Sequence, residues 1–166
     1  MKQIILISLF SVTVISAQWS TDPAAPQSLG SGIQAQLAAT SDGGVYVAWL
    51  SDGNNYQVYL QRLNSSGEPQ WDDNGMVVSN NDNATWIAVY HLNLAVDSED
   101  NAIITTVDQR TGDTWEVYAY KIAPDGSMLW GDDGVSVSNS SQTNYSPRLA
   151  VLPDNSVVVS WSPNST

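Results

Sequence analysis

The chain has no cysteine, a single histidine, a single phenylalanine and five basic residues in 166, and no apolar run long enough to cross a bilayer after its first residues. Each shortage excludes something. Without cysteine there is no disulfide, so the fold must be held by packing. With lysine and arginine reduced to Arg62, Arg110, Lys121 and Arg148 beyond position 2, nucleic acid is not expected as a partner, because a binder displaces counterions from phosphates with cations. Anionic membrane surfaces are disfavoured for the same reason. No segment after the N-terminus approaches 18 apolar residues, so no membrane insertion is expected of the mature chain.

What is present narrows the class further. The chain is 42% apolar, enough for a core, and 13% charged without a block of like charge, so it reads as one domain or a piece of one. Seventeen acidic residues give a net charge of −12. Solubility is the plain reading of that acidity; a saline habitat or bound calcium are the others. Residues 1–17 read as an export signal: Lys2, then the apolar run Ile4 to Phe10, then Ser16-Ala17 before a cut at Gln18. An N-terminal anchor is the alternative. The expected location is secreted or cell-surface, and export without cysteine fits a Gram-negative envelope or extracellular protein better than a small animal secreted module.

The chain repeats itself. Set against each other at an offset of 59, Tyr56–Asn80 and Trp115–Asn139 share nine identities in 25 positions, including Tyr59/Tyr118, Gly67/Gly126, Trp71/Trp130 and Gly75/Gly134. Leu37-Ala38, Leu94-Ala95 and Leu149-Ala150 each open an extended run that leads to a turn dipeptide: Asp42-Gly43, Asp100-Asn101 and Asp154-Asn155. Seven residues past each aspartate stand Trp49, Val107 and Trp161, which sets spacings of 58 and 54 residues.

Strands are expected at Ile33–Thr40, Val45–Leu50, Gln57–Asn64, around Pro69–Trp71 resuming at Met76–Ser79, then Leu92–Val96, Ala102–Val107, Glu116–Ala123 and Met128–Val137. Four hairpin-joined strands per unit make one antiparallel sheet. Val45–Trp49, Ile103-Ile104 and Val157–Trp161 are apolar on both faces, so these strands are expected to be sandwiched. The fold class read from this is all-β: four-stranded antiparallel β-propeller blades, incomplete, about two and a half units, with a β-sandwich or β-solenoid as runner-up. The organisation is a signal at 1–17, a lead-in at 18–32, blade repeats at 33–84 and 85–144, and a partial repeat at 145–166. A propeller closes with at least about four blades. The expectation is therefore a piece of a longer reading frame, with ring completion by other copies as the alternative.

Gln18 to Pro23, Ser41 to Gly44, Val58 to Leu63 with Gly67, Asp97–Ile104, Tyr120 to Ile122 with Asp125-Gly126, and Leu129 to Gly134 together resemble the repeats of secreted propellers in Bacteroidetes and related bacteria. The resemblance covers nearly the whole mature chain. It implies fold and export, often through the type IX secretion system, and supplies no catalytic residues, because these are turn and core signatures. The C-terminal sorting domain common among such proteins is not in this sequence.

Candidate chemistry is sparse. His91 has Gln34 and Ser146 as counterparts, so nothing in the repeat demands imidazole, and no nucleophile-elbow motif accompanies it. Asp97, Glu99 and Asp100 are the candidates for calcium, although they lack the spacing and terminal glutamate of an EF-hand and sit where hairpin turns are expected. Asp72/Asp73 and Asp132/Asp133 are further acidic pairs. Thr111 to Trp115 only partly echoes an aspartate box. Trp49, Trp71, Trp115, Trp130 and Trp161 recur at matched places and read as packing between blades; Trp86 stands apart and is the stacking candidate for a ligand. The Asn-x-Ser/Thr sites at Asn64, Asn83, Asn139, Asn144 and Asn164 read as composition. Ligand contacts are expected on the blade-end loops, at Asp52, Asn54, Asn55 and Asp113. The reading is a non-catalytic binding or scaffold module without cofactor, whose partner is a surface glycan or protein. A carbohydrate-active enzyme with part of its acid–base machinery elsewhere is the alternative.

Overall fold

The computed structural model describes residues 19, 22–51, 56–81, 92–112, 114–139 and 142–164. Ten strands and no helix occur among them: β1 (Ile33–Ala39), β2 (Val45–Leu50), β3 (Val58–Leu63), β4 (Met76–Ser79), β5 (Asn93–Val96), β6 (Ala102–Asp108), β7 (Glu116–Ile122), β8 (Val135–Ser136), β9 (Asn144–Val151) and β10 (Val157–Pro163). They form two four-stranded antiparallel sheets, β1-β2-β3-β4 and β5-β6-β7-β8, and a two-stranded sheet, β9-β10. Among the described residues no closed ring is formed. The regions expected around Pro69–Trp71 and Met128 contribute only single bridges, Leu63 to Pro69 and Ile122 to Met128, before the short outer strands begin.

The sheets stack in chain order. Tyr46, Ala48, Leu50, Val58 and Leu60 of the first pack against Ala102, Ile104, Tyr118, Tyr120 and Ile122 of the second. On the opposite face of the second sheet, Val107, Trp115 and Val117 meet Tyr145 and Val159 of the third. The side chains alternate along each strand, so a strand covered on both faces is buried at every position, polar ones such as Thr105, Thr106 and Asp108 included. That is why β6 is buried at all seven. Large apolar side chains buried this way contribute about 1.5–3 kcal/mol each. β5 packs between β1 and β9, which brings the first strand of each unit side by side.

The hairpin registers correct the repeat arithmetic. Leu37 opposes Val47, Leu94 opposes Ile104 and Leu149 opposes Val159, so the first two strands recur at 57 and 55 residues, not 58 and 54. The turns agree, since the left-handed residue is Gly43 (φ 84°), Asp100 (φ 60°) and Asn155 (φ 64°) in turn. The second turn is therefore centred on Glu99-Asp100, not Asp100-Asn101, and the counterpart of Trp49 is Thr106, not Val107. The offset of 59 does hold for the third and fourth strands, because the connection between β6 and β7 is two residues longer than that between β2 and β3. Gly75 (φ 71°) and Gly134 (φ 65°) stand at the same place, where a Cβ would lie 2.6 Å from the carbonyl oxygens of Leu60 and Ala119.

Sandwiching is also corrected for the third unit. β10 is largely exposed, with Val158 at 51% and Trp161 at 37%, because no sheet covers its far face among the described residues. Trp115 is buried between the second and third sheets as expected, whereas Trp49, also buried, is turned to the opposite face of the first sheet and lies against Gly30, Gly32 and Tyr59 rather than against another sheet. Trp71 lies against Tyr46, ring centres 5.9 Å apart.

The inner strands share a further device. Gln34 (φ 55°) in β1 and Ser146 (φ 49°) in β9 mark register shifts at the same place in their units. An extra residue bends the strand there. His91, their counterpart in the sequence, lies outside the described residues.

Candidate functional site

The antiparallel meander puts the β1–β2 turns at one rim of the stack and the β2–β3 connections at the other. The two rims carry different chemistry.

At the turn rim the sheets are tied together. Asp100 takes two hydrogen bonds from Ser41 of the preceding sheet, N–H to Oδ1 at 2.7 Å and O–H to Oδ2 at 2.6 Å. The Tyr46 hydroxyl donates to the Asp100 carbonyl at 3.0 Å. Burial pushes the Tyr46 phenol up to about 12, which keeps it a donor. One sheet on, Asn155 Oδ1 accepts from the Ser98 N–H at 3.0 Å, the same tie between corresponding residues. The left-handed turn residue thus reaches back to a serine of the turn before it. Gly43 has no side chain for such a reach, and Pro153, which stands where Ser41 and Ser98 do, has no N–H to offer.

The three calcium candidates fall in this rim. Asp97 is buried and paired with Lys121 (Oδ2 to Nζ 2.8 Å), and it accepts from Asn101 Nδ2 at 3.0 Å and 3.1 Å. Burial raises its carboxyl, but Lys121, Asn101 and the backbone N–H groups outweigh that and hold it below the ordinary aspartate range. Glu99 accepts from Asn101, and Asp100 is the tie. All three carboxylates serve turn and inter-sheet bonding. Among the described residues no three His, Asp or Glu side chains converge as a metal set.

The other rim is open at the first sheet and filled at the second. A cleft of about 400 Å³ is lined by Gly30, Ser31, Trp49, Ser51, Gln57, Tyr59 and Asn74. Trp49 stacks on Tyr59 at 5.6 Å and 16° between planes, which fixes both rings. The Ser51 hydroxyl accepts from the Gln57 N–H at 3.0 Å, and the Tyr59 hydroxyl donates to Gln57 Oε1 at 3.2 Å. These bonds still leave the Gln57 amide N–H groups and hydroxyl lone pairs for a ligand. Among the described residues no lining side chain is charged.

At the second sheet the matching positions are Thr106, Asp108, Glu116 and Tyr118, and an arginine occupies the space. Arg110 makes a fork onto Asp108 (Nε to Oδ1 2.9 Å, Nη2 to Oδ2 2.6 Å), bonds the Asp133 carbonyl at 2.6 Å and lies 3.6 Å above the Tyr118 ring. Burial alone would lower the guanidinium, but Asp108 and Tyr120 raise it above its ordinary value. Glu116 is held by the hydroxyl of Ser138 and by Asn144 Nδ2 at 3.0 Å. Both buried carboxylates of this rim are thus satisfied within the protein. The knot was missed in the sequence, where Arg110 stood out only as one of few cations; the Asp-x-Arg spacing at 108–110 was the available signal.

Asp52, Asn54, Asn55, Trp86 and Asp113 lie outside the described residues. Ser51 and Gln57, flanking the first three, do line the cleft. Among the described residues no helix is long and apolar enough to cross a membrane. Set beside known protein families, curated proteins and solved structures, the chain matches none of them.

Proposed function

We propose that the chain is an exported, non-catalytic binding module made of β-propeller blades, acting at the cell surface or outside the cell. The blade reading is supported by like sheets stacked in chain order, with β1, β5 and β9 side by side. The ligand is a neutral, hydroxyl-rich group on a surface glycan or protein, met at the cleft beside the β2–β3 connection. One observation carries this: among the described residues the cleft is lined by an aromatic wall and amide and hydroxyl groups with no carboxylate or imidazole, whereas the equivalent space at the second sheet is closed by Arg110. General acid–base hydrolysis needs two carboxyl groups across a gap, and here the buried ones are bonded to the protein's own donors.

A glycan array read in parallel with a hydrolysis screen tests the proposal. Binding without turnover is expected, weakened about tenfold by Gln57→Ala, as loss of one good hydrogen bond implies. Turnover of a bound glycan overturns it. Export is checked separately: the N-terminus of the chain recovered outside the cytoplasm should be Gln18.

A further inference from the structure

The polar side chains of the first-sheet cleft are neutral counterparts of an acidic set at the second sheet. Ser51 stands where the second sheet has Asp108, Gln57 where it has Glu116, and Asn74 where it has Asp133. The acidic set holds a cation, Arg110, bonded to the Asp108 carboxylate and the Asp133 carbonyl. The neutral set borders an open cleft. Asn74 is also followed by glycine, and Asn74-Gly75 is the one Asn-Gly pair in the 166 residues.

That pair sits where its own chemistry can proceed. An asparagine amide carbon is open to attack by the backbone nitrogen of the next residue, and glycine, without a Cβ, crowds that approach least. Asn74 is exposed in the turn before β4 and lines the cleft, so solvent reaches it. Other asparagine amides are held. Asn64 Oδ1 accepts from the N–H groups of Ser66 and Glu68, and Asn101 and Asn144 donate to the carboxylates of Asp97 and Glu116. One restraint acts at Asn74: the Gly75 N–H donates to the Asp72 carbonyl at 2.7 Å and must leave that bond before it attacks. Opening one exposed turn is a local event of low free energy. The fold admits the product, since Asp133 occupies the same turn before Gly134, whose φ of 65° matches the 71° of Gly75.

We propose that Asn74 is a deamidation site that turns the cleft from neutral to anionic. The Gly75 nitrogen bonds to Asn74 Cγ, the Cγ–Nδ2 bond breaks, and the Gly75 proton passes through solvent to the departing nitrogen, which leaves as ammonia. Water adds to either carbonyl of the resulting succinimide and reopens it as aspartate or isoaspartate. An aspartate with its ordinary pKa of about 3.9 is ionised at neutral pH. The cleft then draws a cation, as Asp108 draws Arg110, and its preference moves from uncharged hydroxyl-rich groups toward those that carry an amine. This consequence rests on the cleft being a glycan site; the modification itself does not.

Ageing the full chain at mildly alkaline pH, with peptide mapping by mass spectrometry, tests the site. Exchange of NH2 for OH should accumulate at Asn74 several times faster than at Asn64 and Asn155, each followed by serine, and Asn74→Gln should remove that fast component. Binding is then measured on an oligosaccharide with free amines and on its N-acetylated form. The ratio of the two affinities should rise about two- to fivefold in the aged chain and in Asn74→Asp, as an exposed ion pair implies, and the rise should fade in high salt. Conversion no faster at Asn74 than at Asn64 or Asn155 overturns the site, and conversion with an unmoved ratio overturns the change of preference. A fresh chain that binds neither form shows that the cleft is no glycan site, while the peptide map still decides the modification.

Discussion

The Lys121–Asp97 pair shows what a single buried charge asks of its neighbours. Asp97 is enclosed, so removing its cation leaves a carboxylate with amide and backbone donors only. Lys121→Met is expected to lower unfolding free energy by about 3 kcal/mol in urea titration. The same carboxyl sets an acid-side dependence. Its folded pKa lies below the unfolded 3.8, so the folded state binds fewer protons in that interval. The stability it contributes is complete above the unfolded value and is lost as pH falls through the lower, folded one. Asp97→Asn should flatten that part of the urea midpoint against pH. Glycine gives a second test at this scale. Gly134 and Gly131 both have positive φ, but only at Gly134 would a Cβ strike backbone, at 2.6 Å from the Ala119 oxygen. Gly134→Ala should cost about 3 kcal/mol and Gly131→Ala about 1 kcal/mol, read from the same unfolding curves.

Among the elements, the ties between successive turns give the clearest prediction. Asp100 both occupies a left-handed backbone position and holds Ser41. Asp100→Gly keeps the backbone and loses the tie, Asp100→Asn keeps the backbone and the Ser41 N–H bond to Oδ1, and Asp100→Ala loses both. The order of stability should be Asn above Gly above Ala, spanning about 2 kcal/mol, with hydrogen exchange at the Ser41 amide rising in the last two. This element also shows where sequence reading stops. The first three strands of each full unit were legible to within a residue or so, because alternation and turn residues are local properties, whereas the strand expected at Met128–Val137 is only Val135–Ser136 and β9 begins at Asn144, ahead of Leu149. The second turn was set one residue late, because Asp100-Asn101 looks like a turn pair while Asn101 in fact folds back to bond Asp97. β10 was expected to be covered because its composition matches β2, but cover depends on what lies beside a strand, which composition does not encode. The neutral cleft was foreshadowed only by its flanking loop; Trp49 was read as packing between blades and Tyr59 only as a repeat identity, and their stacked wall arises from cross-strand register.

For the whole molecule, a net charge of −12 on so small a body repels itself. Raising salt shortens the range of that repulsion, so the melting temperature should climb between dilute buffer and about 0.5 M sodium chloride, before any specific ion effect. A fall over that range would mean that the Arg62–Asp42 and Arg110–Asp108 pairs outweigh the surplus of acid. The stacking is set by the turn rim and by the faces between sheets, to which the β6–β7 connection contributes Trp115. The β6–β7 connection already carries two extra residues, and the registers on both sides of it remain intact. A foreign peptide spliced between Ser51 and Tyr56 should therefore be displayed without refolding its host, so the architecture can be readdressed to a new target by exchanging one loop at a time.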